Sequence, residues 1–131
     1  MLLAYSAMEP PDERRTLLVV DDDAETRYAL HETLEEHGYR VATAPDGHDA
    51  LIQLQYGLRP DVLLIDLCMP VMDGWTLVAK LREREDLARI PIVVMTASSA
   101  RLLNAAPPSA GYVAKPFDLS TLVETLEKCQ S

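Results

Sequence analysis

The chain has 131 residues, 48% of them hydrophobic and 25% charged, which suits one compact domain and excludes a disordered or fibrous chain. Its 21 acidic residues against 12 basic ones leave a formal net charge of −9, so a nucleic-acid backbone is repelled and no nucleic-acid partner is expected. Cys68 and Cys129 supply neither a disulfide framework nor a metal-ligand spacing, and no apolar run suits a secretory leader or a membrane span, so a cytoplasmic protein without a membrane partner is expected.

Residues 1 to 15 mix proline with charges and show no period; they read as a flexible extension, with the fold spanning 16 to 131. Leu17, Leu18, Val19 and Val20 form a continuous apolar run that stops at Asp21, Asp22 and Asp23, the pattern of a strand buried on both faces. A helix is expected from about Ala24 to His37, with Leu30 and Leu34 on one face and Gly38 as its stop. Tyr39 to Ala44 gives a second strand. Pro45, Asp46 and Gly47 turn into a helix with Ala50, Leu51, Leu54 and Leu58 on its stripe. Val62 to Ile65 repeats the first pattern and ends on Asp66. A loop with Met69, Pro70, Asp73 and Gly74 leads to a helix marked by Leu77, Val78 and Leu81, and Ile92 to Met95 is a fourth strand ending on Thr96. Residues 97 to 106 fit a short helix closed by Pro107 and Pro108, and Gly111 to Ala114 is a fifth strand. Leu119, Leu122, Val123 and Leu126 stripe the last helix, with Asp118 as its N-cap.

Five strands alternating with five helices predict an α/β fold, a parallel sheet covered on both faces with right-handed crossovers. Ligands of such sheets bind beyond the carboxyl ends of the strands. The chain turns from apolar to polar at those ends, at Asp21 and Asp22, Asp66, Thr96 and Lys115. Three converging carboxylates need a cation, and hard oxygen donors suit Mg²⁺. Asp66 is then positioned as a nucleophile on phosphorus, with Lys115 and the Thr96 hydroxyl on the remaining phosphoryl oxygens. Taken singly, the Asp21–Asp23 run reads first as a helix cap, Thr96 as a common strand residue and Lys115 more often as a surface charge than a ligand, so their roles rest on context. Asp66 directly after three apolar strand residues has no such alternative. His31, His37 and His48 share no spacing, and Trp75 reads as a packing residue near the site.

Four segments, LLVVDDD at 17–23, DVLLIDLCMPVMDG at 61–74, VVMTA at 93–97 and GYVAKPF at 111–117, resemble those of a bacterial two-component response-regulator receiver domain of the stand-alone chemotaxis type, over roughly residues 16 to 130. The resemblance implies a flavodoxin-like doubly wound (βα)5 sheet in strand order 2-1-3-4-5. It further implies an acid pair at Asp21 and Asp22, phosphoacceptor Asp66, Mg²⁺ contact through the backbone carbonyl of Cys68, switch residues Thr96 and Tyr112, phosphate-binding Lys115 and a cis Lys115–Pro116 bond. The segment between Thr96 and Lys115 is about one helical turn shorter than in the family. A short or irregular helix, and with it an altered output surface, is expected there.

The implied function is that of a signalling phosphoacceptor rather than an enzyme with an external substrate. A histidine kinase or histidine phosphotransfer protein would supply the phosphoryl group, and a downstream protein target would read a monomer or weak dimer. Two other readings compete. One is an interaction domain that keeps the fold without phosphorylation, and the other is an aspartyl-phosphate hydrolase of the haloacid-dehalogenase type. That hydrolase family needs a second acid two residues after the nucleophile, where this chain has Cys68.

Overall fold

The computed structural model describes residues 13–97 and 110–130. Five strands, β1 (Arg15–Val20), β2 (Tyr39–Ala44), β3 (Val62–Asp66), β4 (Ile92–Ala97) and β5 (Gly111–Lys115), form one parallel sheet in the order β2-β1-β3-β4-β5. Among the described residues four helices accompany them: α1 (Ala24–Glu36), α2 (Gly47–Gln55), α3 (Gly74–Arg82) and α4 (Leu119–Cys129). The fold class and strand order are those expected.

The strands alternate their side chains between two cores. Leu17, Val19, Val62, Leu64, Val93 and Met95 pack with Leu30 and Leu34 of α1 and Leu122 and Leu126 of α4. Leu18, Val20, Leu63, Ile65, Ile92 and Val94 pack with Ala50 and Leu54 of α2 and Leu77, Val78 and Leu81 of α3. Both faces being covered is why β1, β3 and β4 read as unbroken apolar runs. Burial of each leucine stabilises the fold by about 1.5–3 kcal/mol, enough in aggregate to hold a rim of charged residues that gains nothing from packing.

Several boundaries differ from expectation. The first strand begins at Arg15, and Ala97 closes β4 instead of opening a helix. The rest of the helix expected over 97–106, with Pro107 and Pro108, lies outside the described residues, as does most of the expected extension. Helix α2 stops at Gln55 because Gly57 takes φ +108, so Leu58 packs on the core from beyond the helix end. Leu119 shares the α4 stripe but is exposed, since a first-turn side chain leans back past the helix N-terminus, away from the sheet. The caps follow sequence: Asp46, Asp73 and Asp118 accept the backbone N–H groups of Asp49, Thr76 and Thr121 at 2.8 Å each.

Candidate functional site

The site forms where the order of strands reverses. The chain passes from β1 to β2 on one side and then to β3 on the other, so the carboxyl ends of β1 and β3 flank a crevice. Val20 pairs with Ile65, so Asp21 and Asp66 are the next residues on neighbouring strands. Both are buried, as is Thr96 on β4, whereas Asp22 is exposed. Carboxylate oxygens of Asp21, Asp22 and Asp66 lie within 4.8 Å of one another, and among the described residues this is the only cluster of His, Cys, Asp or Glu arranged to hold a metal ion. The three histidines join no such group.

Each buried carboxylate is held by one backbone N–H and by Lys115. Asp21 Oδ1 accepts from the Asp23 N–H at 2.9 Å, and Asp66 Oδ1 accepts from the Cys68 N–H at 3.1 Å. Lys115 Nζ donates to Asp21 Oδ2 at 2.8 Å and stands 3.4 Å from Asp66 Oδ2, so its charge leans toward Asp21. Burial pushes the Asp66 carboxyl above its ordinary range and the Asp21 charge adds to that; the Cys68 N–H and Lys115 oppose it without cancelling it. Burial alone would lower the Lys115 ammonium, but its bonds to Asp21 and Asp66 outweigh this and raise it, keeping it charged. One ammonium against three carboxylates leaves the cluster under-compensated. Hard oxygen donors at this separation suit a small divalent cation.

The flanking loops are fixed by close backbone packing. A side chain at Gly74 would meet the Asp66 carbonyl oxygen and Leu67 Cα at 2.6 Å, and the Gly74 N–H donates to Leu67 O at 3.0 Å. The start of α3 therefore rests directly on the peptide that follows Asp66. Between them Met72 N–H donates to Pro70 O at 2.7 Å across Val71, whose φ of 67 places a β-branched residue in the left-handed region. On the other side, Asp23 holds the N-cap position of α1 without a side-chain bond to the helix backbone; its Oδ2 accepts from the Thr26 hydroxyl at 2.6 Å, and Arg27 Nη1 donates to the Asp21 carbonyl at 2.7 Å.

Of the expected residues, the structure brings Asp21, Asp22, Asp66 and Lys115 together and puts the Cys68 main chain beside them. Thr96 follows Met95, the register partner of Asp66, at the buried end of β4. Tyr112 on β5 is turned outward and 57% exposed. The Lys115–Pro116 bond is cis. Trp75 is half-buried against the core beside Asp73 and Gly74. Sequence reasoning did not find Arg27, Gly74's contact or the Val71 turn; only the spacing of Arg27 six residues after Asp21 signals the first.

Residues 17–127 match the family profile described as the response regulator receiver domain. The chain is 39% identical over 110 residues to the transcriptional regulatory protein PrrA of Mycobacterium tuberculosis, covering 82% of this chain and 46% of PrrA. It spans 11% to 54% of the length of other curated relatives. Among solved structures, the chemotaxis response regulator CheY4 of Vibrio cholerae superposes with a TM-score of 0.81 at 34% identity, over 88% of this chain and 98% of that one. The response regulator TrrA of Thermotoga maritima, in complex with Mg²⁺ and BeF, gives 0.78 at 28% identity, over 88% and 98%. No helix among the described residues is long and apolar enough to cross a membrane.

Proposed function

The chain belongs to the response regulator receiver domain family of two-component signalling, whose members are phosphorylated on aspartate, and we propose that in this chain Asp66 is the acceptor. The observation that carries the proposal is the environment of Asp66. Its carboxylate ends a buried strand at the switch point, with one oxygen on the Cys68 N–H, the other facing Lys115, and two further carboxylates within 4.8 Å.

In the reaction an Asp66 oxygen forms a bond to phosphorus as the bond from phosphorus to the donor breaks; for a phosphohistidine donor the imidazole leaves and takes up a proton. Asp21, Asp22 and Asp66, with the Cys68 carbonyl, would hold Mg²⁺, which when bound offsets the negative charge of the transferring group. Lys115 is within reach of Asp66 and contacts a phosphoryl oxygen once transfer has occurred. Thr96 closes on another, and Tyr112 moves inward behind it. Burial of Asp66 strengthens each of these interactions by excluding water.

The partner that supplies the group is a histidine kinase or histidine phosphotransfer protein, the output is a protein contact, and the domain works in the cytoplasm without turning over an external substrate. Intact mass after incubation with Mg²⁺ and acetyl phosphate tests the reading. One phosphoryl adduct on the wild type and none on Asp66→Asn is expected. No adduct on either protein would favour an interaction domain that works without phosphorylation.

A further inference from the structure

We infer that Arg27 is a positioning residue for the metal-binding acid pair, acting on Asp22 through the backbone. The inference rests on the proposed role of Asp21, Asp22 and Asp66 in holding a divalent cation. Asp21 and Asp66 are each fixed by a backbone N–H and by Lys115. Among the described residues nothing holds the Asp22 carboxylate by a hydrogen bond or ion pair, although it lies within the same 4.8 Å cluster. Only its main chain and its own rotamer preferences limit where it can point.

Arg27 Nη1 donates to the Asp21 carbonyl oxygen at 2.7 Å. That carbonyl and the Asp22 N–H belong to one planar peptide unit, so fixing the oxygen fixes the orientation in which the chain enters Asp22. The Asp21 N–H is tied at the same time to Ala44 O at 3.1 Å, so the peptides on either side of Asp21 are both pinned. Helix stability does not ask for an arginine here, because a cation in the first turn of α1 opposes the helix dipole. A long side chain in that turn leans toward the helix N-terminus, which is what carries the guanidinium back to residue 21. Held by a carbonyl, the guanidinium orders the acidic loop without itself occupying any of the three carboxylates.

The two possible effects of Arg27 have opposite signs. If it acted only as a nearby positive charge, removing it would tighten Mg²⁺ binding; if it aims Asp22, removing it weakens binding. The experiment is a cycle of Mg²⁺ titrations by calorimetry at fixed ionic strength on wild type, Arg27→Met, Asp22→Asn and the double variant. Arg27→Met is expected to weaken binding roughly tenfold, as loss of an outer-shell partner does, and to have under about a twofold effect once Asp22 is replaced. Equal or tighter binding in Arg27→Met, or the same weakening in the Asp22→Asn background, overturns the inference. Arg27→Lys keeps the charge and shortens the reach; it runs through the same cycle with the same coupling expected, and stands in for the Met variant if that one does not fold. A wild type that binds no Mg²⁺ overturns the metal assignment itself, whereas wild-type binding with an unaffected Met variant removes only the role of Arg27.

Discussion

Replacing Gly74 by alanine tests how the loop after Asp66 is built. The added methyl would stand 2.6 Å from the Asp66 carbonyl oxygen, where ordinary contact begins at 3.4 Å, so backbone must move by 3.4 − 2.6 = 0.8 Å. No flexible side-chain tip is available to absorb the shift, because the Asp66 oxygen and Leu67 Cα are both main chain. Alanine gains at most about 1 kcal/mol in helix propensity, while overpacking of this kind costs about 1–3 kcal/mol. The expected net loss is about 1–2 kcal/mol, a fall of roughly 3–6 °C in Tm. Displacing the peptide that carries Asp66 by nearly 1 Å should also slow its phosphorylation by roughly 10- to 100-fold. Thermal unfolding and the initial rate of labelling by acetyl phosphate check the two effects. Gly38→Ala is the control: with φ +91 and nothing within 4 Å, it should lose about 1 kcal/mol and label at the wild-type rate. A Gly74→Ala protein as stable and as reactive as wild type would refute the packing argument.

Asp66→Asn should raise the apo protein's Tm at pH 7 by a few degrees, on the order of 1 kcal/mol, because it removes an incompletely compensated buried charge. Since the folded-state pKa of Asp66 lies above its ordinary 3.8, the associated stability is full below that value and is lost as pH rises through the folded pKa; the Asn variant should lack this loss in pH-dependent melts. Lys115→Met should keep or tighten Mg²⁺ binding, since a competing cation leaves Asp21, yet lower the labelling rate on the order of 100-fold; a rate equal to wild type would exclude the phosphoryl contact. Val71→Gly relieves a left-handed β-branched residue and should stabilise by about 1 kcal/mol in urea unfolding, and a loss of stability would show that the exposed side chain is needed for the turn.

Much of the site was legible because it is built on strand ends. Leu17–Val20 and Val62–Ile65 are fully buried on both faces, so their runs are unbroken in sequence and the acids that end them stand out. Alternation and register then bring Asp21 and Asp66 side by side without help from any side chain. What was not legible depends on approach between segments distant in sequence or on backbone angles. Glycine at 74 carries no sign that Asp66's carbonyl lies 2.6 Å away, and a valine at 71 disguises a turn that needs positive φ. Periodicity likewise placed Leu119 and Leu58 on helix stripes, because a stripe does not record where a helix begins or ends relative to the sheet.

Reduction of the phosphorylated protein with borohydride, which converts an aspartyl phosphate to homoserine, followed by peptide mass mapping, tests the central claim most directly. Homoserine at position 66 alone is the predicted result. Homoserine at Asp21, Asp22 or any other carboxylate, with position 66 unchanged, would contradict it.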